Sequence, residues 1–92
     1  MKITTQFHGI LADWVGAASA SFDLPEDATY ADLMDEIGRR FGRNMPEQLW
    51  DREKNSFNKT VQALGKGRTL NAANISLLEK ETITFILMIA GG

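Results

Sequence analysis

Apolar and polar positions alternate at both ends of the chain and switch to a helical period between them. Ile3, Thr5 and Phe7 share one face while Thr4, Gln6 and His8 share the other, which predicts an amino-terminal strand that Gly9 ends. Ile10 to Ala18 reads as a connector with some helical spacing at Ile10, Trp14 and Val15, interrupted by Gly16. Ala20, Phe22 and Leu24 alternate with Ser19, Ser21 and Asp23, so a second strand returns antiparallel to the first and stops at Pro25. From about Tyr30 to Phe41 the period changes. Leu33, Ile37 and Phe41 recur every four residues with Met34 beside them, the stripe of an amphipathic helix. Thr29 is the N-cap, Asp32 completes an approximate capping box, Arg39 and Arg40 suit the last turn, and Gly42 reads as the C′ residue.

The second half is less regular. Asn44 and Pro46 start a short helical turn carrying Leu49 and Trp50, and Asp51 to Lys59 reads as a polar loop. Thr60 to Leu64 and Arg68 to Leu70 are short strands joined by a tight turn at Gly65-Lys66-Gly67. Asn71 to Glu81 is a connector with Leu77 and Leu78 tucked beneath it. The last stretch, ETITFILMIAGG, alternates Ile83, Phe85, Leu87 and Ile89 against Thr82 and Thr84, then places Ile86 and Met88 on the second face. Apolar side chains on both faces suit a central strand or a partner surface. Strands, one main helix and strands again make an α+β pattern with the helix across one face of a mixed sheet of four to five strands. If the first and last strands are neighbours, they run parallel, because the connection between them contains the crossover helix. That arrangement is the β-grasp (ubiquitin-like) fold, in a single domain over 1–92 with a flexible tail at 90–92.

Composition removes several kinds of chemistry. With 92 residues, 43% hydrophobic and 24% charged, the chain is an ordinary globular domain. It has no cysteine, so disulfides, thiolate metal sites and cysteine nucleophiles are excluded. A net charge of −2 argues against generic nucleic-acid or anionic-membrane binding. Neither a signal-peptide core nor a membrane-length apolar run is legible, and the expectation is a soluble cytoplasmic protein.

The single histidine, His8, has no carboxylate or nucleophile partner and reads as a surface residue. Asp35 and Glu36 point apart on the helix, and Asp32 with Glu36 makes a like-charge face without a third ligand, so no metal site is expected. Gly65-Lys66-Gly67-Arg68 lacks the frame of a phosphate loop. Trp50, Arg52, Lys54, Phe57 and Lys59 mix bases with aromatics, but Glu47, Asp51 and Glu53 lie among them. Charge is unevenly spread: Asp23 to Glu36 holds six acids and no base, and Arg39 to Arg68 holds eight bases and three acids. Such polarity steers association with a protein partner. The chain does not read as an enzyme.

What remains is the carboxyl end. At about 7% glycine a terminal pair arises by chance roughly once in two hundred chains, which sets the bland reading of a frayed tail against a functional one. An α-carboxylate with a pKa of about 3.5 is ionised at neutral pH and can attack the α-phosphate of ATP, giving an acyl-adenylate that accepts a nucleophile such as sulfide. Residues without Cβ enter a channel too narrow for side chains. Ala90, Gly91 and Gly92 reach only about 10 Å when extended, so the body must dock close to the partner's active site, with Ile86 and Met88 as its contacts.

The chain resembles the MoaD/ThiS family of ubiquitin-like sulfur carriers. Phe7, Leu11 and Gly16 resemble that family's first strand and following loop, and Leu24-Pro25-Glu26-Asp27-Ala28-Thr29-Tyr30-Ala31-Asp32-Leu33 is similar to its entry into the helix. Trp50-Asp51, the turn at Gly65 to Gly67 and the terminal Ala90-Gly91-Gly92 complete the resemblance. It implies that Gly92 is adenylated by a ubiquitin-activating-type enzyme that uses ATP and becomes a thiocarboxylate, with Gly91 as its threading companion and no cofactor bound by the chain itself. It further implies sulfur delivery to molybdopterin, the carrier being the small subunit of a molybdopterin synthase, and chain length favours that branch over the shorter thiamine carriers. Molybdopterin carriers usually have two prolines before the terminal segment, where this chain has Leu87-Met88-Ile89, so the acceptor stays open. Alternatives are a carrier for thiamine or another sulfur-containing metabolite, a ubiquitin-like modifier of lysines, and a β-grasp binding module with an inert tail.

Overall fold

The computed structural model describes residues 1–88. Strand β1 (Lys2–Phe7) is followed by a short helix α1 (Ile10–Val15), strand β2 (Ser19–Asp23) and the main helix α2 (Tyr30–Phe41). A two-residue hairpin comes next, β3 (Trp50–Asp51) with β4 (Ser56–Phe57), and then β5 (Val61–Gly65), β6 (Arg68–Thr69) and β7 (Thr82–Leu87). The main sheet has the order β2-β1-β7-β5-β6. β1 and β7 are parallel neighbours at its centre, with Thr5 opposite Ile83 and Phe7 opposite Phe85, and the other pairings are antiparallel. This is the β-grasp arrangement expected from the alternation at the two chain ends. Ile89 and the tail at 90–92 lie outside the described residues.

The strand faces sort by side chain. Ile3, Thr5 and Phe7 of β1, Phe22 of β2, and Ile83 and Phe85 of β7 are buried under α2, which contributes Leu33, Met34 and Ile37. Each of the apolar burials stabilises the fold by about 1.5–3 kcal/mol before entropy is subtracted. Thr5 is polar yet fully buried, and its hydroxyl donates to the Ala20 carbonyl at 3.2 Å, so no polar atom is stranded.

Helix α2 begins where the sequence places it. The Thr29 amide donates to Asp32 Oδ2 at 2.8 Å, the carboxylate half of a capping box. The connector after β6 satisfies two further orphan donors: Tyr30 N–H donates to the Ile75 carbonyl and Ala31 N–H to the Ala73 carbonyl. The other end departs from expectation. Gly42 is not a left-handed C′ residue; it has φ −58 and ψ −32 and continues into a 3-10 turn (Gly42–Asn44). The turn is closed from outside, because Arg52 Nη2 donates to the Gly42 and Met45 carbonyls.

Three other segments correct the sequence reading. The connector before β2 contains the helix α1, with Leu11 and Val15 buried, because a left-handed Gly16 ends it only after a full turn and a half. Asp51 to Lys59 is not an unpaired loop: β3 and β4 pair through it, with Trp50 opposite Phe57, and the expected helical turn from Pro46, whose carbonyl accepts from the Leu49 and Trp50 amides, leads directly into β3. Asp51 Oδ1 accepts from the Glu53 and Lys54 amides, and Asn55 adopts the left-handed conformation (φ 53) that asparagine tolerates. Leu77 is buried, but Leu78 is 47% exposed, because consecutive residues here face opposite ways and only one reaches the core.

Glu81 closes the connector onto β7. Its side chain is fully buried and takes two hydrogen bonds from Arg68, at 2.7 and 3.0 Å, with the amides of Lys66 and Leu78 completing its shell. Gly65 lies against this carboxylate so closely that a Cβ there would collide with it. Burial by itself would push the Glu81 carboxyl up, but Arg68 and the two amide donors together outweigh it and hold the group below its ordinary range.

Two sets of measurements check this account. Stability from the depressed Glu81 carboxyl is fully present above its unfolded pKa of about 4.3 and is lost as pH falls through the folded value. The stability gap between the wild type and Glu81→Gln in urea titrations should therefore narrow as pH drops below about 4. Arg68→Met should cost roughly 2–3 kcal/mol at neutral pH. The two glycines around the end of α2 should respond oppositely to alanine. A Cβ on Gly38 would sit 2.7 Å from Trp50 Cζ2 and 2.5 Å from Asn55 Oδ1, so Gly38→Ala should destabilise by about 1–3 kcal/mol despite alanine's better helix propensity. A Cβ on Gly42 meets only Trp50, no closer than 3.6 Å, so Gly42→Ala should be neutral or stabilising by up to about 1 kcal/mol. A destabilised Gly42→Ala variant would contradict the right-handed geometry described at that residue.

Candidate functional site at the end of strand β7

Because β1 and β7 are parallel, β7 ends at the edge of the sheet where β1 gives way to α1. The His8 amide donates to the Phe85 carbonyl at 3.0 Å, which joins that corner to the strand leading into the tail. On the other side β5 runs antiparallel, and the Met88 amide donates to the Thr60 carbonyl. The chain leaves the sheet between these two anchors. Ala90, Gly91 and Gly92, assigned the chemistry by sequence, lie outside the described residues.

The two residues expected to contact a partner occupy different surroundings. Ile86 is half-buried and pairs with Gln62 on the sheet face turned away from α2. That face is otherwise polar along β1 and β7, carrying Thr4, Gln6, Thr82 and Thr84. Leu64, opposite Thr84, is its second apolar residue and a diagonal neighbour of Ile86. Met88 lies beyond the strand, is 48% exposed, and lines a groove of about 690 Å³ together with Met34, Phe57 and Val61. Helix α2, the turn after β3 and the stretch following β6 form the rest of its wall.

Two exposed apolar residues near this corner were not singled out as contacts by the sequence reading. Ile10 is 51% exposed and Trp14 36%, and they stand one helical turn apart on α1. Their spacing was visible, but a six-residue helix between two glycines gave too short a window to separate an outer stripe from a core stripe.

The other candidate residues have structural roles. Trp50 and Phe57 belong to an aromatic cluster: Trp50 meets Phe57 edge-on at 5.0 Å, Phe57 meets Phe85 at 5.0 Å, and Phe85 stacks on Phe7 at 5.5 Å. Arg52 is held on two carbonyls, so the mixture of bases and aromatics around it does not present a stacking surface. His8 is exposed. Asp32 caps its helix and Glu36 pairs with Arg39, and among the described residues no cluster of His, Cys, Asp and Glu could hold a metal ion. Among the same residues, no helix is long and apolar enough to cross a membrane.

No protein-family model matches the chain, and no curated protein matches it by sequence. Solved structures do match. SAMP1 from Haloferax volcanii superposes with a TM-score of 0.80 at 15% identity, covering 100% of both chains. A Pyrococcus furiosus protein assigned as molybdopterin converting factor subunit 1 gives 0.73 at 18% identity, covering 97% of this chain and 99% of that one. Urm1 from Trypanosoma brucei gives 0.72 at 18% identity, covering 99% of this chain and 95% of the other. At such identities the likeness establishes architecture, and the chain shares the β-grasp fold of these three structures.

Proposed function

We propose that the protein is a sulfur carrier whose Gly92 carboxylate is activated by a partner enzyme. The observation that supports this reading is the placement of β7: a central strand, anchored on both sides, ends at one corner of a compact body, and Ala90-Gly91-Gly92 follows it closely in sequence. A ubiquitin-activating-type enzyme would bind ATP. A Gly92 carboxylate oxygen attacks the α-phosphorus, the bond between the α-phosphorus and the bridging oxygen breaks, and pyrophosphate leaves. Sulfide then attacks the acyl carbon and displaces AMP, leaving a thiocarboxylate that keeps one of the original oxygens. Gly91 and Gly92 supply no side chain to obstruct the approach, and Ala90 supplies only a methyl group. The chain itself binds no cofactor in this scheme and catalyses no step. One of the matching structures is named as molybdopterin converting factor subunit 1, and molybdopterin as the acceptor would make a molybdopterin synthase large subunit the second partner.

A ubiquitin-like modifier would share the same adenylate and differ in its final nucleophile, a lysine amine in place of sulfide. One of the matching structures is named a small archaeal modifier protein. Co-expression with the adenylating enzyme of the same genome, followed by intact-mass analysis, separates the two readings. A carrier gains the mass of one oxygen-to-sulfur exchange, whereas a modifier yields high-molecular-weight conjugates that vanish when Gly92 is deleted. One extra residue after Gly92 should abolish either outcome. Full activity of the extended chain, or an unchanged mass with the tail intact, would exclude the carrier reading.

A further inference from the structure

Beyond the tail, the groove beside Met88 has the makings of a recognition site. Its walls combine apolar side chains with a basic rim. Met34, Ala63 and Leu70 are buried in its depth, Phe57 and Val61 are half-buried, and Met88 stands at the point where the chain leaves β7. Lys54 and Lys59 line it and are both exposed. Among the described residues neither lysine forms an ion pair, and the one carboxylate in the lining, Asp35, keeps its charge but is turned to Asn55 Nδ2 at 2.7 Å, so the two lysines outnumber it.

The two lysines are presented by built turns. Lys54 donates its amide to Asp51 Oδ1, in the turn that the Asn55 contact ties to α2. Lys59 follows Asn58, whose amide donates to the Leu49 carbonyl and whose side chain donates to the Glu47 carbonyl. A volume of about 690 Å³ falls in the range of ligand pockets and admits several side chains.

We infer that this groove docks an acidic segment of the protein that receives the tail. One large apolar side chain of that segment sits among Met34, Phe57 and Met88, and its carboxylates face Lys54 and Lys59. The occupant is argued from charge and from reach. Two unpaired cations at the rim of an apolar groove match carboxylates flanking an apolar anchor. Ala90 to Gly92 spans only about 10 Å, so a surface bordered by Met88 faces whatever engages the terminus. The inference rests on the carrier reading and adds the body surface that selects the partner.

The test is steady-state pyrophosphate release by the adenylating enzyme of the same genome, with ATP and excess sulfide to displace AMP from the acyl-adenylate, titrated with the full chain, Lys54→Glu/Lys59→Glu and Lys54→Arg/Lys59→Arg. Charge reversal should raise KM roughly tenfold with kcat unchanged, and the arginine pair should behave as wild type. The difference should shrink when salt is raised to about 0.5 M, where exposed charges are screened. Both side chains are exposed, and a melting curve checks that the variants fold. An unchanged KM after charge reversal overturns the inference and leaves the carrier reading standing. No pyrophosphate release with the wild-type chain overturns both. Salt-sensitive self-association of the wild type, lost on charge reversal in sedimentation, would assign the groove to a second copy and overturn the inference as well.

Discussion

The parallel pairing of β1 with β7 is the constraint on which the rest of this molecule depends. Parallel neighbours cannot be joined by a tight turn, so the chain between them must cross over, and α2 is the crossover. Pairing the two chain ends at the centre leaves β2 and the β5–β6 hairpin to flank them. It also fixes the direction of β7, and with it the corner at which that strand ends. The Glu81–Arg68 pair serves the same pairing from the other end. It sits immediately before β7 and fixes the connector, whose carbonyls in turn receive the first amides of α2.

The elements legible in the sequence were those whose signal is local. The alternation of Ile3, Thr5 and Phe7 and the four-residue spacing of Leu33, Ile37 and Phe41 each specify a face, and the structure buries those faces apart from the partly exposed Phe41. The β3–β4 hairpin was not legible because two-residue strands are too short to show a period. It is held by contacts that sequence spacing does not reveal: Phe57 inserts between Trp50 and Phe85, and Asn55 reaches Asp35 across to α2. Gly42 misled for a related reason. Glycine after a helix suits a left-handed cap, but Arg52, ten residues later, supplies the missing donors and lets the chain continue right-handed.

The candidate site was legible in part for the same physical cause. Strand alternation groups Ile86 with Met88, and that grouping holds only while the strand lasts. β7 ends at Leu87, and Met88, though its amide still donates to the Thr60 carbonyl, lines the groove with Met34 of α2, while Ile86 remains on the outer face near Leu64. The charge asymmetry found its meaning only in three dimensions. The bases between Arg39 and Arg68 do not form one patch: Arg52 caps carbonyls, Arg68 neutralises Glu81, Arg40 lies over the Phe22 ring at 4.1 Å, and Lys54 and Lys59 are left to line the groove.

On the proposed carrier function, this division of the bases separates two demands. A terminus of small residues has almost no side chain with which to discriminate among partners, and under that proposal any bulk added for recognition would block entry to the activating site. Selection then falls to the body, and the body can contribute only surfaces within reach of so short a tail. The corner around Leu87 and Met88 meets that requirement from two directions, with Ile86 and Leu64 on the outer face and the lysine-rimmed groove on the other. Under the proposed function, an activating enzyme and a sulfur acceptor that share one terminus would be told apart by which of these surfaces each uses, without any change in the tail itself.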